Sequence, residues 1–402
     1  MKSLKNKLLS WKRKKLGNCG TIQSGGTPDT NKTDYWQGTI PWITPSEVTG
    51  LSKKFVQKTE RYLTEKGLKD SSAVLLPSNS LIICTRATVG NSCINVVPMC
   101  TNQGFKNLIP NSENDVLFLY YLIENNKKDL IRKACGSTFL EISKKDIVNL
   151  SFLMPPTRNE QEKIVEVLEC WYKGIDLVKK LIEQKELQKK YLMQQLLSGT
   201  RRLKGFTQKW EKKPLGKLIK LYQGYPFKSE TYSAQGQYKI ITIANVKQGY
   251  LDLAKFSTIQ ILPPDILKYQ QLDIGDILIS MTGNVGRICQ VNSKNCLLNQ
   301  RVGKIEANLL DKEFLYYILQ LPNFLNVMFA CAQGGAQANL STKDIYHYVL
   351  FYPSDTCEQQ AIAEVLSSAD KEIDLLKQKL AKLEAQKKGL MQVLLTGKVR
   401  LK

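Results

Sequence analysis

The chain has 402 residues, 43% of them hydrophobic, which is enough for two or three domains with cores of their own. Lys and Arg number 58 against 36 Asp and Glu, a net charge of +22 that favours a polyanionic partner, because each neutralised phosphate releases condensed counterions. No apolar run is long enough to span a bilayer, and the basic opening "MKSLKNKLLSWKRKKLG" has too short an apolar stretch for a signal peptide, so a cytoplasmic protein is expected.

In chain order, Trp11 and the cationic "KRKKL" lead into "GNCGTIQSGGTP" (17–28), then "IPWITPSEV" (40–48). "SLIICTRATVGNSCI" (80–94) reads as a short β-branched strand, a polar loop closed by "TVG", and a return strand. "TNQGF" follows at 101, and "DVLFLYYLIENNKKDLIRKACG" has helical apolar spacing ending in Gly. After "ISKKDI" (142–147) and "MPPTRNEQ", a helical pattern runs for about forty residues and ends in "LLSG".

Every one of these phrases returns roughly 200 residues later: Trp210 with "EKKPL", "GKLIKLYQGYPF", "YKIITIANV", "DILISMTGNVGRICQ", "LNQRV", "FLYYIL", "LSTKDI", "YPSDTCEQQ", and a helix ending in "LLTG". The chain is built twice. Its expected organisation is a strand-rich domain at 1–157, a helix at 158–200, a second such domain at 201–355, and a helix at 356–402. The fold class is α+β.

The two helices carry a stripe of apolar residues at alternating steps of four and three, as in a coiled-coil seam. In the first it is Ile164, Leu168, Trp171, Ile175, Val178 and Ile182, then Lys185, Lys189, Leu192 and Leu196. In the second it is Ile362, Leu366, Ala369, Ile373, Leu376, Leu380 and Leu383, then Lys387, Leu390 and Leu394. At 1.5 Å per residue each helix is roughly 60 Å long, and one apolar face alone leaves neither stable by itself. Each is the other's expected partner in an antiparallel coiled coil. That pairing predicts domains at opposite ends of a rod, related by a pseudo-two-fold axis.

Catalytic and metal signals are weak. Among ten cysteines there is no Cys-x-x-Cys pair. Cys93 and Cys100 recur as Cys289 and Cys296, and Cys135 as Cys331, without the neighbouring His a four-ligand zinc site wants. Buried, reduced thiols are expected. His347 lies in "DIYHYVLFYP", read as an alternating strand with a core or half-buried imidazole. There is no G-x-x-x-x-G-K-[ST] phosphate loop and no Asp/Asn-Pro-Pro-Tyr/Phe motif for adenine methylation.

Where the units align, the frame agrees and the loops differ. Arg86, Thr88 and Asn91 stand where the second unit has Thr282, Asn284 and Arg287. Such residue types read base edges, Arg on guanine, Asn on adenine, Thr on several. Gln103 and Lys106, with Gln300 and Arg301, complete the candidate DNA contacts. Two similar basic domains on one spacer suit a target read in two places.

This tandem order, with "GSTFLEISKKDIVNLSFLMPPTRNEQEKIVEVL" and its copy "GGAQANLSTKDIYHYVLFYPSDTCEQQAIAEVL", resembles the specificity (S) subunit of type I restriction–modification systems over essentially the whole chain. The resemblance implies two target-recognition domains, each reading half of a bipartite site in double-stranded DNA, and helices that set the spacing. It also implies docking of two modification subunits, which carry S-adenosylmethionine and methylate adenine, and of two restriction motor–nuclease subunits using ATP and Mg. No cofactor or metal is expected in this chain. A stand-alone methyltransferase or nuclease would need a catalytic domain, for which the repeats leave no stretch. A structural coiled-coil adaptor without sequence-specific DNA binding would leave the charge and the diverged loops without a role.

Overall fold

The computed structural model describes residues 11–51, 54–134, 141–332 and 338–401. Cys135 and the stretches "GSTFL" and "GGAQ" of the two repeated phrases fall outside these ranges. The chain divides into two units, one made of residues up to Lys179 together with those from Gln378, the other of Lys180–Lys377. Each unit therefore takes one stretch of both long helices.

In the first unit β1 (Lys12–Lys15), β2 (Gly20–Ser24) and β3 (Trp36–Ile43) precede α1 (Pro45–Gly50), β4 (Phe55–Val56), β5 (Arg61–Leu63) and α2 (Glu65–Lys69). Then come β6 (Leu81–Cys84), β7 (Ser92–Asn95), β8 (Cys100–Thr101) and β9 (Phe105–Pro110). Helices α3 (Val116–Asn125), α4 (Lys127–Lys133) and α5 (Lys144–Asn149), strand β10 (Ser151–Met154) and α6 (Arg158–Leu197) follow. A five-stranded sheet has the order β2-β9-β6-β7-β4, and a smaller one the order β5-β3-β8. β1 pairs with β10.

The second unit continues with β11 (Trp210–Pro214), β12 (Ile219–Gln223), β13 (Tyr238–Ile241), β14 (Val246–Lys247), β15 (Tyr250–Leu251) and β16 (Ser257–Ile259). β17 (Gln271–Leu272), β18 (Ile277–Ser280), β19 (Ile288–Gln290), β20 (Cys296–Leu298) and β21 (Val302–Ala307) complete its sheets, with β22 (Val349–Pro353) against β11. Its helices are α7 (Lys312–Ile318), α8 (Pro322–Cys331), α9 (Thr342–His347) and α10 (Thr356–Leu394). The order β12-β21-β18-β19 reproduces β2-β9-β6-β7, and the parallel pair β13–β20 reproduces β3–β8.

Local chemistry accounts for these elements. "LIIC" and "ILIS" are wholly buried, so their alternation disappears and only β-branched bulk remains to mark them. Asp115 and Asp311 cap α3 and α7 by accepting the Phe118 and Phe314 N–H groups, each at 2.8 Å. Pro322 begins α8, so the stretch after "FLYYIL" forms a helix of its own, separate from α7. His347 also departs from expectation. Ser341 and Asp344 form a capping box that turns "TKDIYH" into a helical turn, and His347 ends it exposed to solvent.

Helix pairing is visible inside each unit. In the first, Glu160, Tyr172 and Lys179 of α6 meet Arg400, Lys387 and Glu384, the partner number falling as the first rises. In the second, Lys185 and Lys189 meet Glu372 and Asp370 at 2.7 and 2.5 Å. Both are antiparallel. Among the seam positions Ile164, Leu168, Ile175, Ile182, Ile362, Leu366 and Ile373 are buried. Trp171, Val178, Leu376, Leu380 and Leu383 are half-buried. Each unit's core continues from its sheet into its helices, Phe118 and Leu122 joining Ile164, Leu168 and Leu394 in the first. In the second, Phe314 and Leu315 join Leu196, Ile362 and Leu366.

Candidate nucleic-acid interface

In the first unit, backbone bonds gather four loops at one end of the larger sheet. The 85–91 hairpin is closed by Cys84 N–H on Asn91 O (2.8 Å) and Gly90 N–H on Cys84 O (2.9 Å). Thr85 N–H donates to Gly104 O at 2.9 Å, and Ile142 N–H donates to Thr85 O at 2.9 Å. Gly26 N–H donates to Thr101 O, and Trp42 Nε1 holds Gly26 O at 3.0 Å. A Cβ on Gly25 would stand 1.9 Å from Asn102 O, so the first loop needs glycine to lie this close.

The second unit repeats the arrangement. Met281 N–H donates to Arg301 O (3.0 Å), Leu340 N–H to Met281 O (2.8 Å) and Gln300 N–H to Tyr225 O (3.0 Å). Gly224 is the counterpart of Gly25, its Cβ position 2.1 Å from Asn299 O.

These loops present the candidate contacts unequally. Arg86 and Gln103 are exposed, Gln103 accepting from the Thr27 hydroxyl. Thr88 turns its hydroxyl inward beside the Cys84 thiol. The Asn91 side chain is occupied at both ends, donating to Thr49 Oγ1 at 3.2 Å and accepting from Lys127 Nζ. Lys106 is 8% exposed on β9, and burial holds its ammonium below the usual lysine range against the opposing pull of Glu141. In the second unit Asn284, Gln300 and Arg301 are exposed. Thr282 and Arg287 are half-buried, the Arg287 carbonyl accepting from Ser280 N–H and the Arg287 N–H donating to Ser280 Oγ, each at 3.0 Å.

Where each domain meets its helices, the structure assembles residues that the sequence reading passed over. Glu160, 7% exposed at the start of α6, receives Arg400 Nε and Nη2 at 2.8 and 2.7 Å and Trp11 Nε1 at 3.1 Å. Glu358, fully buried at the start of α10, receives Arg202 Nε and Nη2, both at 2.6 Å. The glycines of "LLSG" and "LLTG" adopt positive φ, +73° at Gly199 and +69° at Gly397, and pack against the Trp210 and Trp11 rings. Each repeated phrase ends a helix with a left-handed glycine and hands the chain to an arginine that neutralises a buried carboxylate. The signal was in the sequence, as "NEQ" and "CEQQ" returning together with "TRR" and "KVR".

Among the described residues, no group of three or more His, Cys, Asp or Glu is placed to hold a metal. Cys100 and Cys289 are buried, and burial pushes both thiols up to about 12. Cys100 lies in β8 and Cys289 in β19, and their counterparts in the other unit, Cys296 in β20 and Cys93 in β7, are buried as well. No single described helix is long and apolar enough to cross a membrane.

The fold is a tandem of two α+β units of like topology, each joined to one stretch of both long helices. A family model, the type I restriction modification DNA specificity domain, matches residues 9–187 and again 207–385. The chain belongs to this family of specificity subunits, which direct where a complex acts and are not themselves catalytic.

The specificity subunit of the type I restriction enzyme MjaIX of Methanocaldococcus jannaschii is 24% identical over 412 residues, covering 97% of this chain and 94% of that one. That of EcoR124I/EcoR124II of Escherichia coli is 35% identical over 178 residues, 41% of this chain and 43% of the other. A chain solved in a study of complex assembly and conformational transition of the type I R-M system has TM-score 0.64 at 16% identity, covering 97% of this chain and 98% of its own. The S subunit from M. genitalium gives 0.56 at 16% identity, with 96% of each chain covered.

Proposed function

We propose that each unit reads one half of a bipartite site in double-stranded DNA through its loop cluster, and that α6 and α10 set the gap between the halves. The observation that carries this is the same backbone frame presenting different exposed side chains, Arg86 in one unit and Asn284 and Arg301 in the other, beside a glutamine common to both, Gln103 and Gln300. Guanidinium and amide groups suit base edges in the major groove, while the +22 charge supplies phosphate affinity. The paired helices dock two modification subunits, which carry S-adenosylmethionine. Two restriction subunits using ATP and Mg complete the assembly in the cytoplasm. Exposed Leu187 and Tyr191, four residues apart on one face of α6, and Leu375 on α10 suit such docking.

Methylation mapping of host DNA tests this reading, with the modification subunits supplied and this chain present or absent. A bipartite adenine-methylated motif that depends on the chain is expected. Methylation without sequence preference would overturn it in favour of an adaptor.

A further inference from the structure

The two reading hairpins have nearly the same backbone but different seats. In the first unit the joint between α3 and α4 faces the return strand of the hairpin. Glu124, next to last in α3, accepts from Ser92 Oγ at 3.1 Å. Lys127, first in α4, donates through Nζ to Asn91 Oδ1. The Lys127 stem also covers Gly90, whose φ is +83° and whose Cβ position lies 2.8 Å from Lys127 Cγ. Two consecutive residues of the hairpin are thus gripped by two charged groups that flank one helix joint. Asn126 fixes the joint itself, its side chain donating to Leu122 O at 2.8 Å.

The second unit grips the same place with neutral groups. Gln248, at the β14–β15 turn, accepts from Ile288 N–H at 3.2 Å and donates to Gln320 O at 3.3 Å. Gly249 N–H donates to Ile288 O at 2.8 Å, and Tyr316 Oη donates to Gly249 O at 2.8 Å. Gly286, at φ +75°, is covered by Met328 of α8. Arg287 and Ile288 stand where the first unit has Asn91 and Ser92.

We propose that Lys127 and Glu124 are positioning residues for recognition of the first half-site, and that Gln248 is the positioning residue for the second. The proposal rests on the reading that these hairpins contact bases. Asn91 is then an anchor of the hairpin, and Arg86 at its tip is the side chain whose placement the anchor governs. A bidentate base contact demands placement within a fraction of an ångström, so a loosened loop loses discrimination before it loses phosphate affinity.

The test uses the full chain assembled with its modification subunits and synthetic duplexes carrying the mapped motif, with single-base changes in one half or the other. Lys127→Met keeps the stem over Gly90 and removes only the donor. The ratio of methylation kcat/KM on matched and mismatched duplexes should fall about tenfold for one half-site and stay unchanged for the other. Lys127→Arg, which still donates to Asn91, should restore it, and Gln248→Ala should relax the opposite half. Glu124→Leu, which removes the acceptor of the Ser92 hydroxyl, offers a second route to the same half should Lys127→Met not fold. Unchanged ratios beside a discriminating wild-type complex, or equal relaxation of both halves, would overturn the proposal. A wild-type complex that methylates every duplex alike would sink the underlying reading as well.

Discussion

Lys387 stands over the Tyr172 ring, its Nζ 3.8 Å from the centroid, with no carboxylate within ion-pair reach among the described residues. Its counterpart in the repeat, Lys189, bonds Asp370 Oδ1 at 2.5 Å, while Tyr317 Oη donates to Asp370 Oδ2 at 2.8 Å. Asp370 stands where the first unit has Tyr172. The same seam lysine thus meets a π face in one unit and a carboxylate in the other, and this difference has an energetic consequence. Lys189→Met should cost about 1–2 kcal/mol, discounted for partial exposure, because it strands the Asp370 charge. Lys387→Met should stay within about 1 kcal/mol of the parent, since a thioether over the ring replaces a cation that burial already disfavours. Thermal unfolding of both variants in one buffer checks this, and equal losses would contradict it.

The buried carboxylates at the helix starts make a larger demand. Arg202→Met leaves Glu358 fully buried without its bidentate partner, and a loss of about 3–5 kcal/mol is expected. Adding Glu358→Gln should recover part of that loss, because a neutral amide is cheaper to bury than an unpaired charge. Denaturant midpoints of the single and double variants form the cycle. A double variant no better than Arg202→Met alone would show that packing against Trp210, and not charge, is what the arginine supplies.

Stability should also depend on pH through Glu124. Burial raises its carboxyl above the ordinary value of 4.5, opposed by the Ser92 hydroxyl, Lys127 and Lys387. The folded chain therefore holds a proton that the unfolded chain releases, and this group's contribution falls as pH rises from 4.5 through the raised folded value. At neutral pH the full cost is present. Glu124→Gln should be more stable than the parent at neutral pH, with the difference shrinking toward 4.5. A difference that grows on acidification would reverse the assignment.

At the loops, Arg86→Ala is expected to relax one position of one half-site by about 1–3 kcal/mol, and Arg301→Ala one position of the other. Competition binding with single-base variants of the duplex measures this. A uniform loss on all sequences, with the salt slope reduced by about one, would assign that arginine to phosphate.

The repeat made the doubled architecture legible before any coordinates, because phrases such as "FLYYLI" and "FLYYIL" recur in fixed order. The helices were legible through their seam, whose apolar period is a direct image of one buried face. The role of the seam lysines was not, since a lysine at such a position reads as a loosened seam until Tyr172 and Asp370 are seen beneath it. Glu160 and Arg400 meet across 240 positions of sequence, so the one trace of the pair in the sequence is that its two phrases recur around Glu358 and Arg202. The loops were legible as loops, but which polar groups turn outward was not. Asn91 and Arg86 look alike in sequence, and only the placement of Thr49 and Lys127 separates them. His347 was misread because a capping box of two residues outweighed an alternating pattern.

On the proposed reading, each unit recognises its own half-site. Exchanging the block from Trp210 to Phe351 for that of a relative, followed by methylation mapping of the host, tests it most directly. Internal cores in each unit predict that one half of the methylated motif is replaced and the other is kept unchanged. A motif altered in both halves, or in neither, would contradict it.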